Sequence, residues 1–176
     1  MKRVILAVLL AFILSSTAFG VQNTSAQELR IVVQPVALLD VSLLTVVFEI
    51  PQEIVPGAPL HFENIEGGNI RYTSLIEQGR SRKITASLVD TSILDYVEIG
   101  ITVAAPEKGT GKLGVSTGRI SLSSIPQPVI ADIGNGWTGT EETDGASVFY
   151  DIDILSADNL GSGTVTIDVL FTLAEE

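Results

Sequence analysis

Apolar and polar residues alternate along several short segments of this chain. The clearest segment is Thr164–Leu173, in which the odd-numbered residues are all apolar and most of the even-numbered ones are Thr or Asp. Side chains two residues apart lie on the same face of a β-strand, so this pattern predicts a strand with one face on a core. The same alternation predicts further strands at Glu28–Gln34, Leu44–Ile50, Ile84–Leu88, Val97–Val103, Ile120–Leu122 and Val148–Ile152.

The runs are separated by residues that favour turns. Gly67-Gly68, Gly134-Asn135-Gly136 and Asp144-Gly145 all suit tight reversals or positive φ angles. Many short strands divided by such signals predict an all-β fold, a single Ig-like antiparallel β-sandwich of about nine strands. The ambiguous segment is Ala37–Leu44, which could form one helical turn.

The first 26 residues follow a different pattern. Two basic residues precede an unbroken apolar run of 11 residues, Val4–Leu14, and small residues follow it. This order is typical of a secretory signal peptide, and the run is shorter than the roughly 20 residues that a membrane-spanning helix needs. We expect cleavage after Ala26, with Gly20 as the alternative. Residues 27–176 would then form one exported domain without a membrane span, in the periplasm, at the cell surface or outside the cell.

Charge and cysteine content narrow the classes of function. Residues 1–26 hold two of the ten basic residues and none of the 21 acidic ones, so residues 27–176 carry a net charge of −13. Such a surface repels phosphate groups, and we expect no nucleic-acid partner. The chain has no cysteine, so the core must form without disulfides. The main basic cluster is expected to lie at the surface and pair with acidic residues, and it consists of Arg71, Arg80, Arg82 and Lys83.

The only histidine, His61, limits the catalytic options. A Ser–His–Asp site would have to use it, but no nucleophile motif lies near Pro59–Phe62, and we interpret it as a partly exposed strand residue. One histidine without cysteine also cannot supply the usual zinc ligands. Glu107–Lys112 matches a phosphate-binding loop only in part, because Pro106 and Leu113 occupy positions that need Gly and Ser or Thr. We therefore expect neither enzymatic activity nor a cofactor.

Trp137, Asp151 and Asp153 are the candidate ligand-binding residues. Glycines surround Trp137, so its ring could be presented to a ligand; we favour a ring that folds over the end of the sandwich and seals the core. Asp151 and Asp153 have the same parity, which places both carboxylates on one strand face. Such a pair suits weak calcium binding or glycoside hydrolysis. The simpler interpretation is that the two carboxylates belong to a polar strand face in contact with solvent.

A series of turn and strand motifs runs through the middle and end of the chain, at Arg71–Ser74, Gly79–Ala86, Leu113–Gly118, Ile120–Ser124, Ile133–Thr140 and Asp144–Ala146. In this layout the chain resembles small exported bacterial β-sandwich proteins, in particular fimbrial subunits and spore-coat-U-like pilin domains. The resemblance implies an Ig-like sandwich that assembles by strand exchange and carries no catalytic residues. The disulfide common in such pilins is absent.

These observations favour an exported structural or adhesive surface module, fimbria-like, that pairs with itself or with other surface proteins through a strand. The strand-pairing candidates are Val165, Ile167, Val169, Phe171 and Leu173. A second candidate segment is Glu28–Gln34. The alternative is an extracellular module that binds carbohydrate or calcium. A hydrolase and a small outer-membrane barrel rank lower, the barrel because regular aromatic girdles are missing.

Overall fold

The computed structural model of the chain describes residues 27–43, 45–47, 55, 57–156 and 166–176. These residues contain eleven β-strands and one short 3-10 helix, Ser92–Asp95. The strands form two antiparallel sheets with a shared apolar core, which confirms the predicted all-β sandwich. The expected count of nine strands was too low. Three of the strands that the alternation did not predict, β5, β6 and β9, are only two residues long, too short to show an alternating pattern.

The first sheet has seven strands: β1 (Val36–Val41), β2 (His61–Leu75), β4 (Val97–Val103), β5 (Thr110–Gly111), β7 (Ile120–Ser121), β9 (Gly136–Trp137) and β10 (Ala146–Ile154). Strand β10 lies between β2 and β4, and β7 pairs with β4. Strands β1 and β9 both pair with the last part of β2, and β5 pairs with β9. Strand β2, the longest strand of the sheet, therefore pairs with β10 over its first part and with β1 and β9 over its last part.

The second sheet has four strands in the order β11–β3–β8–β6: β11 (Val169–Glu175), β3 (Arg82–Leu88), β8 (Gln127–Ile133) and β6 (Val115–Ser116). Strand β11 pairs with β3 in an unbroken register from Val169 opposite Leu88 to Glu175 opposite Arg82. This ladder places β11 at one side of the sheet and β3 in its interior.

Alternate residues of the paired strands form the core. The odd-numbered residues of β4 are all buried, as the sequence predicts, and the even-numbered residues of β3 contribute Ile84, Ala86 and Leu88. Several branched side chains are fully enclosed, among them Ile70, Ile84, Ile101, Ile130 and Ile133. Burying one such side chain contributes about 1.5–3 kcal/mol, so this core is the main source of stability in a chain without disulfides.

Arg82 lies inside the sandwich, which corrects the expectation that the whole basic cluster is at the surface. It is 5% exposed. Its Nη1 donates to Ser74 Oγ and to Leu75 O, both at 3.2 Å, and to Val36 O. Because these acceptors belong to β1 and β2, an arginine of the second sheet satisfies polar groups at the end of the first.

Strand β2 continues through Gly67-Gly68, where the sequence predicts a turn. Two register irregularities in its pairing with β10 interrupt the two-residue period. Asn64 has a φ of 59° and Gly68 a φ of 78°, so the backbone leaves the regular strand conformation at both points. Bulges of this kind shift side chains to the other face, and the alternation in the sequence is lost although the strand is not.

Other predicted segments differ from the structure. Residues 27–35, which include Glu28–Gln34, have no regular secondary structure. Of the segment Ala37–Leu44, residues 37–41 lie in strand β1 and not in a helical turn, and Leu44 is outside the described residues. Most of Leu44–Ile50 lies outside the described residues, and residues 45–47 are not a strand. Thr164–Leu173 becomes a strand only from Val169, and residues 164 and 165 are also outside the description.

Two units make up the chain, Met1–Val33 and Gln34–Glu176, and all the strands belong to the second. Of the first unit, only residues 27–33 are described, and their side chains are exposed. Among the residues that the structure describes, no helix has the length and apolar character needed to cross a membrane.

Candidate functional site

Asp151 and Asp153 lie on the outward face of β10, as their parity predicts. The register places Asp151 opposite Gly100 of β4, and Asp153 opposite Glu98 of β4 and His61 of β2. Both aspartates are partly buried. Their carboxylates therefore lie at the centre of the first sheet, where side chains from both neighbouring strands reach them.

Arg119 joins these carboxylates from the segment before β7. Its Nε lies 3.0 Å from Asp151 Oδ2, its Nη1 3.5 Å from Glu98 Oε1 and its Nη2 3.6 Å from Asp153 Oδ2. Burial lowers the pKa of Arg119, but the hydrogen bond to Asp151 and the charges of Glu98 and Asp151 outweigh it, and the net effect raises that pKa. The guanidinium thus stays charged and holds three carboxylates together.

His61, the first residue of β2, adds a further charged group next to Asp153. Its Nε2 lies 2.8 Å from Glu63 Oε1, and its Nδ1 contacts Asp153 Oδ1. The hydrogen bond to Glu63, and then the one to Asp153, raise the pKa of His61 above its ordinary value of 6.5. In the imidazolium form both ring nitrogens donate, so His61 acts as a second cation beside Asp153.

We call these side chains the charge ladder, and it comprises His61, Glu63, Glu98, Arg119, Asp151 and Asp153. Its carboxylates already have cationic partners, and Asp151 Oδ1 also accepts the Asn64 N–H at 3.1 Å. Within the described part of the chain, no three His, Asp or Glu side chains are grouped as metal ligands. Chemically, this arrangement links three strands, β2, β4 and β10, and the segment before β7 by charge-assisted hydrogen bonds.

Trp137 does not seal the core, in contrast to the favoured expectation. It is 49% exposed and lies in β9, opposite Thr73 of β2 and Thr110 of β5. Its neighbours Gly136 and Thr138 are buried. Because the residues of a strand alternate between faces, burying those two turns the indole outward.

Trp137 and the aspartates do not form one site. Trp137 pairs with Thr73 and Asp153 pairs with His61, twelve residues apart along β2. An extended strand rises about 3.3 Å per residue, which separates the two positions by roughly 35–40 Å. The sequence alone could not show this separation, because it predicts only the start of β2, around His61, and not the strand that continues from there to Thr73.

The strand-pairing candidates that are described lie on β11 or just before it. Ile167, Val169, Phe171 and Leu173 are partly buried and pack against the core. Val165 lies outside the described residues. The predicted alternation is therefore confirmed for the four described residues, and it leaves Leu170 on the opposite face, 54% exposed.

The sequence alone does not reveal most of the partners in the charge ladder. It predicts His61 to be a partly exposed strand residue, and Arg119 and Glu98 are not among the candidate site residues. Glu98 is an even-numbered residue of the predicted strand Val97–Val103, whose odd-numbered residues face the core. The alternation therefore places Glu98 on the outward face, and the sequence could have identified it as a candidate. Arg119 gave no such signal, since it precedes a two-residue strand.

Comparison of the chain with protein-family models, with curated proteins and with solved structures gives no match. The resemblance to fimbrial subunits therefore stays a prediction.

Proposed function

We propose that the chain is an exported structural or adhesive surface module that joins neighbouring subunits by strand pairing at β11. The observation that carries the proposal is the position of β11 at the side of the second sheet, where it pairs with β3 alone among the described strands. Strand β1 contacts β11 but forms no ladder with it in the part of the chain described. Export is supported by the signal-like pattern of residues 1–26.

The ladder between β11 and β3 identifies which backbone groups face away from the sheet. Val89 N–H donates to Asp168 O, and Glu176 N–H donates to Ser81 O, both at 3.0 Å. Hydrogen-bonded positions alternate in an antiparallel ladder, so the even-numbered residues of β11 bond to β3. The N–H and C=O groups of Val169, Phe171 and Leu173 therefore point to the side of β11 that pairs with no described strand, called its open side here. An incoming strand would bond there.

The side chains of β11 also lack the usual protection of an edge strand. Lysine and proline commonly block edges, but the strand reads VLFTLAE and has neither. Leu170 instead leaves an apolar side chain 54% exposed on its outward face. These features favour pairing with another strand.

Glu28–Gln34 is the candidate incoming segment. Leu29, Ile31 and Val33 share one parity and are 83%, 77% and 68% exposed. The segment has no ladder partner in the described structure. Added to the edge of a sheet, it would gain main-chain hydrogen bonds and bury an apolar face, which is how strand addition gains affinity.

Amide hydrogen exchange of the exported protein at low and high concentration tests the proposal. We expect the amides of Val169, Phe171 and Leu173 to exchange fast in the dilute protein and to become protected on association. The amides of Leu170 and Thr172 should be protected in both. A protein that stays monomeric at high concentration, or one that associates without protecting the odd-numbered amides, would rule out pairing at β11.

A pair of matched variants distinguishes pairing at the strand edge from nonspecific association through exposed apolar side chains. Leu170→Lys places a charge on the outward face of β11, and Ile125→Lys does the same at a site that is 70% exposed but outside any strand. We expect only Leu170→Lys to weaken association. Equal effects would show that exposed apolar area, and not the strand edge, drives association.

An extracellular ligand-binding function is the second candidate. The half-exposed ring of Trp137 favours it. The pairing of Asp151 and Asp153 with Arg119 and His61 argues against calcium at these aspartates, since a bound ion would have to displace those cations.

A further inference from the structure

A surface depression of about 400 Å³ lies beside β9. The turn between β2 and β3, residues 76–81, forms one wall, and Lys112, Asp132 and the segment Gly134–Asn135 form the other. Small-molecule sites usually measure about 300–1,000 Å³, so this volume suits one or two sugar rings.

Backbone contacts fix the walls of the depression. Asn135 Oδ1 accepts the Ile76 N–H at 2.6 Å, and Asn135 O accepts the Lys112 N–H at 2.9 Å. Gly111 passes so close that a Cβ atom there would lie 2.0 Å from Asn135 O, so only glycine allows this approach. Because these groups are already held in place, a ligand need not order them on binding.

The charged side chains of the lining are two anions and two cations, Glu77, Asp132, Arg80 and Lys112. Arg80 Nη2 lies 2.8 Å from Glu175 Oε2, and Lys112 Nζ contacts Asp132 Oδ1. Each cation is thus matched by a carboxylate, and the net charge of the chain is −11. This balance disfavours an anionic ligand, and it supplies both donors and acceptors to a neutral ligand that carries hydroxyl groups.

Trp137 is not one of the residues that line the depression, but it lies close to one of them along the chain. It follows Asn135 by two residues, a Cα separation of about 7 Å in an extended chain. Its ring is 49% exposed. One face of a pyranose ring carries mainly C–H groups, and packing that face on an aromatic ring buries apolar area while the sugar hydroxyls bond to polar neighbours.

We infer that the depression and Trp137 together form a binding site for a neutral pyranose saccharide. Gln78 and Asn135 offer amide groups to the hydroxyls. The charged side chains of the lining add donors and acceptors. The indole carries the C–H face of a ring at the margin of the depression. The site does not use the open side of β11, so it stands apart from strand pairing.

The single tryptophan of the chain makes the inference directly testable. The probes are cellotetraose, chitotetraose and maltotetraose as neutral saccharides, with trigalacturonate as the anionic comparison. We expect a saturable change in Trp137 fluorescence with at least one neutral saccharide, and a dissociation constant of about 1 mM or lower. No saturable change below about 10 mM would overturn the inference, as would binding of trigalacturonate alone.

Variants assign the binding to this site. Calorimetry should show that Trp137→Ala weakens binding about tenfold or more. Gln78→Ala, on an exposed turn, should weaken it severalfold without lowering the melting temperature. Ile125→Ala is the matched control and should bind like the unmodified protein. Unchanged binding in both Trp137→Ala and Gln78→Ala would place the saccharide elsewhere and refute the site.

Discussion

The guanidinium of Arg119 lies directly over Gly100, so close that a Cβ atom on Gly100 would be 2.6 Å from Nη2. A side chain at position 100 would therefore displace Arg119 from Asp151 and Glu98. We predict that Gly100→Ala lowers the free energy of unfolding by about 0.5–1 kcal/mol, the range of a partly exposed ion pair. Urea denaturation measures the change.

The Arg119→Ala background provides the control for this prediction. There Gly100→Ala has nothing to displace, and alanine restricts the unfolded chain more than glycine, so the substitution should be neutral or stabilising by about 0.4–1 kcal/mol. A double-mutant cycle with additive effects would show that the contact between the two residues is energetically unimportant.

His61 should give the charge ladder a pH dependence. Because its pKa is raised in the folded protein, its stabilising contribution is complete below the ordinary value of 6.5 and is lost as the pH rises through the folded-state pKa. We predict that the stability difference between the unmodified protein and His61→Gln shrinks from pH 6 to pH 8, as measured by urea denaturation at each pH.

The pKa itself can be read by NMR, since the chain has one histidine. Glu63→Gln should lower the pKa of His61, because the hydrogen bond to Glu63 is its largest cause. Glu66→Gln, in the same strand, should leave it unchanged. A titration midpoint at or below 6.5 in the unmodified protein would contradict the ion pairs of His61.

Buried Arg82 should contribute far more to stability than exposed Arg80. Arg82→Ala leaves Ser74 Oγ, Leu75 O and Val36 O without their donor, and unsatisfied buried groups cost about 1–3 kcal/mol each before relaxation. We predict a loss of about 2–4 kcal/mol for Arg82→Ala. Arg80→Ala breaks only a surface pair with Glu175 and should cost less than about 1 kcal/mol. Thermal unfolding of the two variants side by side makes the comparison.

Strand pairing by Glu28–Gln34 predicts a dependence on residue parity. Ile31 and Val32 are both well exposed, at 77% and 63%, but only Ile31 shares its parity with Leu29 and Val33. If that face is buried on association, Ile31→Lys should weaken self-association about tenfold in sedimentation experiments, and Val32→Lys should not. Similar behaviour of the two variants would mean that the segment does not bind as a strand.

The sequence predicted those strands well whose alternation is uninterrupted. Val97–Val103 has the predicted bounds, and Ile84–Leu88 needed only two more residues at its start. Strand β2 was predicted only at its start, around His61, because bulges break its two-residue period and Gly67-Gly68 favours a turn. Residues 27–35 show the reverse error, since they alternate like a strand but have none to pair with in the described structure.

The candidate sites, like the strands, were predicted only as far as the spacing of residues within one segment allows. Parity alone placed Asp151 and Asp153 on one face, but the cations that neutralise them come from β2 and from the segment before β7, distant in sequence. The exposure of Trp137 was decided by the burial of Gly136 and Thr138 beneath it. No local pattern contains that information.

The sequence by itself thus determined an all-β chain, with an export-like start, a strongly acidic composition and a core face on most of its longer strands. These properties depend on residue type and on spacing within one segment. Only the tertiary structure decided that Arg119 covers Gly100 and holds three carboxylates, that Arg82 is buried between sheets, and that β11 pairs with β3 alone among the described strands. Those outcomes depend on which strands become neighbours, and pairing between distant segments is set by the whole core.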